Sequence, residues 1–338
     1  MTTATTVTAV RCPLSREPAK AAAQFGAGYP TLSDRGPNRT HRVPRQSLAT
    51  RPPGEAMPRR WVTAVVCLLA LVALACENGG GTAPSPSPGS PGTEAGGIAA
   101  LGDSISTGFG SCLVVTPCER NSWSTGNSLR LGSHYRRLLD HDPAIRGQAF
   151  NHAQAGARAS ALAGQAEQAT RDRPDRITVL IGANDVCHGE VAAMTPVATF
   201  RSQVDRGLQV LGAELPKARL LVVSIPDLYR LWEVGHTNKR AVRAWSLGIC
   251  PALLKNPAST DPADRSRRDA VRERVADYND QLAAACTAYG SRCRYDDGAA
   301  HRLRFTLDLV STFDWFHPNL AGQERLAEVT WAAWGGVA

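Results

Sequence analysis

Three short blocks, far apart in a chain of 338 residues, carry side chains suited to chemistry. Gly102-Asp103-Ser104 follows a short apolar run, Ile98 to Leu101. Gly182-Ala183-Asn184-Asp185 follows the β-branched run Ile177-Thr178-Val179-Leu180-Ile181. Asp314-Trp315-Phe316-His317-Pro318-Asn319 precedes an apolar C-terminal segment. Each alone has an ordinary explanation. Serine is common, an Asn or Asp at a strand end usually makes a turn or caps a helix, and a lone histidine is more often structural. Together they supply the needs of acyl transfer. Ser104 is the candidate nucleophile, His317 the base that takes its proton and later returns it to the leaving group, and Asp314 the group that orients the imidazole. The oxyanion of the tetrahedral intermediate needs donors, and the candidates are the backbone N–H of Ser104, the N–H of Gly156 and the side-chain amide of Asn184.

The surrounding pattern says what could hold these groups in place. Strand-like runs at 98–101, 177–181 and 220–225 alternate with helical patterns at 121–139, 157–170, 195–215, 265–289 and 319–335. In the third of these, Val197, Phe200, Val204, Leu208 and Leu211 recur every three or four residues, as do Val271, Val275, Tyr278, Leu282 and Cys286 in the fourth, and core packing is the only role these stripes need. Such alternation predicts an α/β fold with a parallel sheet covered on both faces. In such sheets function gathers beyond the C-terminal ends of the strands, where Ser104 and Asn184 both fall.

With Asn151-His152-Ala153-Gln154-Ala155-Gly156 added, four blocks occur in one order: Gly102 to Ser106, Asn151 to Gly156, Gly182 to Asp185 and Asp314 to Pro318. In this the chain resembles the SGNH, or GDSL-type, hydrolase family over most of residues 98–320. The resemblance implies a three-layer α/β/α sandwich with a mostly parallel central sheet. It implies Ser104 as nucleophile, His317 as base, Asp314 as its partner, and an oxyanion hole from Ser104, Gly156 and Asn184, with no cofactor and no metal. Asp103 reads as a local hydrogen-bonding residue of the nucleophile loop. The block is not the Gly-x-Ser-x-Gly elbow of α/β-hydrolases, because position 106 is Ser.

The N-terminal quarter has a different character. Residues 1–56, rich in proline, read as a disordered extension or as untranslated sequence. Met57-Pro58-Arg59-Arg60 and the mostly apolar run to Ala75 have the shape of a signal peptide over 57–75. Cys76 directly after it resembles the lipidated first residue of a bacterial lipoprotein, which would tether the protein to a membrane surface. A plain secretory signal or an uncleaved anchor are the alternatives. Residues 76–96 have linker composition, leaving 97–338 as the hydrolase domain. The formal charge of +8 belongs mostly to the leader: residues 1–75 hold 10 Lys and Arg against 3 Asp and Glu, residues 76–338 hold 28 against 27. That near balance argues against a nucleic-acid partner.

Beyond Cys76 the mature chain has six cysteines, Cys112, Cys118, Cys187, Cys250, Cys286 and Cys293. An even count in an exported domain reads as three disulfides, and secreted actinobacterial lipases of the family are similar in this. Six cysteines allow fifteen pairings. Short spacing favours Cys112–Cys118 and Cys286–Cys293, which leaves Cys187–Cys250; buried free thiols are the bland alternative, and the spacing suits zinc poorly. Leu113-Val114-Val115 and Tyr229, Leu231 and Trp232 are expected on the active-site edge as walls of an acyl pocket or as core. A monomeric ester hydrolase acting on lipid or short-acyl esters is the leading reading. A deacetylase of acetylated polysaccharide, or a thioesterase, is the alternative. A catalytically dead surface binding protein is disfavoured, because Ser104, Asn184 and His317 are all in place.

Overall fold

The computed structural model describes residues 96–335 apart from residue 113. The expectations for the extension, the signal and the Cys76 tether lie outside the described residues. Five strands form one sheet: β1 (Ile98–Gly102), β2 (Ala149–Asn151), β3 (Arg176–Leu180), β4 (Arg219–Val222) and β5 (Cys293–Tyr295). Their order is β2-β1-β3-β4-β5, and every neighbouring pair is parallel. Helices connect them: α1 (His134–His141), α2 (Leu162–Asp172), α3 (Ala183–Val186), α4 (Val197–Glu214), α5 (Leu228–Gly235), α6 (Lys239–Trp245), α7 (Pro251–Leu254), α8 (Pro262–Tyr289), α9 (Ala299–Arg302) and α10 (Leu320–Trp331). The result is a three-layer α/β/α sandwich around a parallel sheet.

The central strands are continuous apolar runs because both of their faces are covered. All five residues of β1 are buried, as are Ile177, Val179 and Leu180 of β3 and Leu220, Leu221 and Val222 of β4. On one face α2 packs against α4 and α4 against α8. Their stripes meet there: Phe200, Val204, Leu208 and Leu211 from α4, and Val271, Val275, Tyr278 and Leu282 from α8. Phe200 stacks on Tyr278 with ring centroids 4.0 Å apart. On the other face α1 and α10 close over a cage of Trp123, Trp331 and Trp334 around His134.

The helical pattern at 121–139 is shorter in the structure. Only α1 forms, with Ser133 as its N-cap accepting from the Arg136 N–H. The residues before it turn back on themselves instead: Ser122 Oγ accepts from the Ser124 and Thr125 N–H groups, and Gly126 N donates to Ser122 O. Those side-chain bonds compete with helix. The last helix likewise ends at Trp331, and a single 3₁₀ turn follows.

Candidate active site

The strand order places β1 beside β3 while the connection from β1 runs to β2 on its other side. That is a topological switch point, where an open parallel sheet leaves a crevice beyond its strand ends. Three loops meet there, those after β1, β2 and β3, joined by the segment that leads into α10. Two glycines shape the loop starts. Gly102 ends β1 at φ +147°, and a Cβ there would lie 2.1 Å from the Leu180 carbonyl oxygen. Gly182 ends the β3 run at φ +123°, and its Cβ would meet Ile225 at 2.5 Å. No other residue lets the adjacent chains approach so closely.

The loop after β1 carries Ser104. Ser106 N and Thr107 N both donate to Asp103 O at 3.1 and 3.2 Å, and Phe109 N to Ser104 O at 3.0 Å. Asp103 Oδ1 accepts from Ile105 N at 2.9 Å. Two glutamines lock this loop from opposite layers. Gln165 of α2 accepts from Gly102 N at 2.8 Å and donates to Gly102 O at 2.9 Å. Gln323 of α10 accepts from Trp123 N and donates to Ile105 O, both at 2.9 Å. Neither glutamine is legible as a site residue in the sequence, where each looks like ordinary helix polarity; the only signal is a polar residue on an otherwise buried face.

Asp314, His317 and Ser104 stand in series. His317 Nε2 lies 2.9 Å from Ser104 Oγ, and His317 Nδ1 lies 2.7 Å from Asp314 Oδ2. Asp314 Oδ1 accepts from the N–H groups of Phe316 and His317 at 2.9 and 3.1 Å. Burial pushes the Asp314 carboxyl up, but the His317 hydrogen bond and charge and these two backbone donors outweigh it, so its pKa falls below the ordinary value. An ionised Asp314 on Nδ1 fixes the tautomer that leaves Nε2 facing the serine hydroxyl.

Of the candidate oxyanion donors, Ser104 and Asn184 line one cleft. The N–H groups of Ser104 and Gly156 have no intramolecular acceptor among the described residues. Asn184, on the first turn of α3, donates one amide hydrogen to Ala157 O at 3.0 Å, leaving its other hydrogen for a ligand. Asp185 ties the same turn to the loop after Gly156, accepting from Ala159 N at 2.9 Å. Burial raises the pKa of Asp185, and pushes that of Asp103 up to about 7.

An apolar cleft opens at Ser104, Asn184 and His317. Its walls are Ile105, Leu228, Leu231, Phe305, Val310 and Phe316, with Pro226, Asp227 and Pro318 at its edges. Of the residues expected to line an acyl pocket, Leu231 does so. Tyr229 and Trp232 do not: they alternate with it around α5 and turn to α8, where Arg272 lies over Tyr229 and Arg268 over Trp232. Val114 and Val115 are exposed in the Cys112–Cys118 loop and take no part in the cleft. Among the described residues no His, Cys, Asp and Glu cluster is arranged to hold a metal ion. Three disulfides are present, Cys112–Cys118, Cys187–Cys250 and Cys286–Cys293.

A hydroxyl, an imidazole and a carboxylate in hydrogen-bonded series at a sheet's switch point can perform acyl transfer. Residues 98–330 match the family of GDSL-like lipases and acylhydrolases, and the chain belongs to that family. The chain is 28% identical over 193 residues to the membrane-associated phospholipase B1 of Rattus norvegicus, covering 46% of this chain and 13% of the relative. It is 30% identical to the Homo sapiens protein of the same name over 193 residues, covering 48% and 13%. The match thus spans a small part of those relatives. The extracellular lipase of Streptomyces rimosus is similar in structure, with a TM-score of 0.43 and 19% identity over 71% of this chain and all of that one. Among the described residues no helix is long and apolar enough to cross a membrane.

Proposed function

We propose that the protein hydrolyses carboxylic esters with an apolar acyl group, through an acyl-enzyme on Ser104. The observation that carries this reading is the unbroken series Asp314–His317–Ser104 at the mouth of an apolar cleft. In the first step the Ser104 Oγ–carbonyl bond forms while the hydroxyl proton passes to His317 Nε2. The negative charge on the former carbonyl oxygen is met by the N–H groups of Ser104 and Gly156 and the free amide hydrogen of Asn184. The bond to the alkoxy oxygen then breaks, and His317 gives that oxygen the proton. In the second step water attacks the acyl carbon and its proton passes to His317. The bond to Ser104 breaks, and the serine recovers the proton from the imidazole. Asp314 stays ionised throughout and stabilises the imidazolium.

Three disulfides support an oxidising compartment for this work, as the export signal at 57–75 would provide. The test is turnover of nitrophenyl esters by the parent and by Ser104→Ala. Loss of turnover in the variant is expected, and full activity in it would overturn the assignment.

A further inference from the structure

We propose that Asp227 makes the site selective for esters whose alcohol carries a positive charge, of the quaternary-ammonium class. The proposal rests on the serine-esterase reading above. Two side chains that line the cleft can bear a full charge, Asp227 and His317. His317 is committed to Asp314 and Ser104 by its two hydrogen bonds. Asp227 is not so committed. Its Oδ1 caps α5 by accepting from Arg230 N at 2.9 Å, and its Oδ2 has no hydrogen-bond or ion-pair partner among the described residues. A helix cap needs an acceptor and no charge, for Asn and Ser cap about as well as Asp. The negative charge in this wall is therefore more than the cap requires.

Burial divides the cleft residues into two sets. Ile105, Leu228, Leu231, Phe305 and Val310 are buried. Of those with no part in the proposed mechanism, Asp227 and Phe316 are the two that are half-buried. The part of the cleft in reach of water thus offers one carboxylate and one aromatic ring. Both attract an organic cation, the carboxylate by charge and the ring by its quadrupole. Arg230, three residues beyond Asp227, pairs with Glu233 Oε2 at 3.3 Å and donates to Phe305 O at 3.3 Å, so its own charge is answered elsewhere. A quaternary ammonium group asks no hydrogen bond of the apolar walls around it. A metal ion would need several oxygen ligands, and the cleft supplies one carboxylate. The alcohol leaves to water after the first step, so its charge belongs on the accessible side, while the apolar acyl group lies against the buried walls.

Three butyrate esters separate charge from shape: the choline ester, the 3,3-dimethylbutyl ester with carbon in place of the nitrogen, and the anionic 2-sulfoethyl ester. All three form the same acyl-enzyme, so their kcat/KM values compare the first step alone. The parent should favour the choline ester over its neutral isostere about tenfold more strongly than Asp227→Asn does. It should disfavour the sulfoethyl ester about tenfold more strongly than that variant. Comparing parent with variant cancels the intrinsic reactivities of the three alcohols. Asparagine keeps the α5 cap, so an Asp227 with a purely structural role would give the same ratios in both proteins. Asp227→Ser also keeps the cap and decides the matter where the first variant fails to fold. Equal ratios in the parent and an active Asp227 variant, or a parent that does not favour the choline ester over the sulfoethyl ester, would overturn the charge selection and leave the esterase reading standing. No turnover of any ester by the parent, nitrophenyl butyrate included, would overturn both.

Discussion

In the proposed mechanism Ser104, His317 and Asp314 each have one job that a near-isostere cannot do. Asp314→Asn keeps the size of the side chain but removes the charge that selects the His317 tautomer. Its kcat should fall about 10⁴-fold, measured on a nitrophenyl ester, with the fold intact by circular dichroism. Asn184→Ala removes one oxyanion donor and should lower kcat about 10²–10³-fold with a smaller change in KM, since the charge it meets exists only in the transition state. The three candidate catalytic side chains were legible in the sequence because each sits in a short block with a distinctive neighbour. The residues that hold them were not. Gln165 and Gln323 reach Gly102 and Ile105 across 63 and 218 positions of chain, and no local pattern announces a partner so distant.

Among the elements, those with long apolar periods were legible, and α4 and α8 fall within three residues of their expected ends. The strands β2 and β5 were not, since three residues carry no period that stands out from a loop; pairing with β1 and β4 makes them strands. Helices α5, α6 and α7, between β4 and α8, also went unread, although α5 supplies a wall of the cleft. The Cys187–Cys250 bridge joins this insertion to the turn that follows Asn184, and it spans 63 positions. On loop-closure entropy it should stabilise the fold by about 4 kcal/mol, against about 2 for the short Cys112–Cys118 loop. The double variant Cys187→Ser, Cys250→Ser should therefore melt on the order of 10 °C lower by calorimetry, and Cys112→Ser, Cys118→Ser about half as far.

At the scale of the whole molecule, sheet order turns separate blocks into one site. With β1 and β3 adjacent, the loops carrying Ser104 and Asn184 must meet, and the segment leading into α10 brings His317 to Ser104. The same packing buries two titratable groups with opposite consequences. Burial pushes Asp103 up to about 7 and His134, in its tryptophan cage, down to about 3. A carboxyl raised in the folded state favours folding below its unfolded pKa, and that contribution is lost as pH rises from about 4 to about 7. A histidine lowered in the folded state opposes folding as pH drops from about 6.5 to about 3. The two slopes oppose each other across the shared window. In thermal melts between pH 4 and 6.5, Asp103→Asn should climb more steeply with pH than the parent, and His134→Gln should fall relative to it. Parallel curves for all three proteins would contradict this.

The central claim is that Ser104 carries the acyl group. The direct measurement is the intact mass of the protein, quenched in acid within the first turnovers of nitrophenyl butyrate, with peptide mapping of any adduct. The parent should gain one butyryl group on the peptide containing Ser104, Asn184→Ala should gain it more slowly, and Ser104→Ala should gain none. A butyryl group on Ser104→Ala at the parent's rate, or on a different residue of the parent, would contradict it.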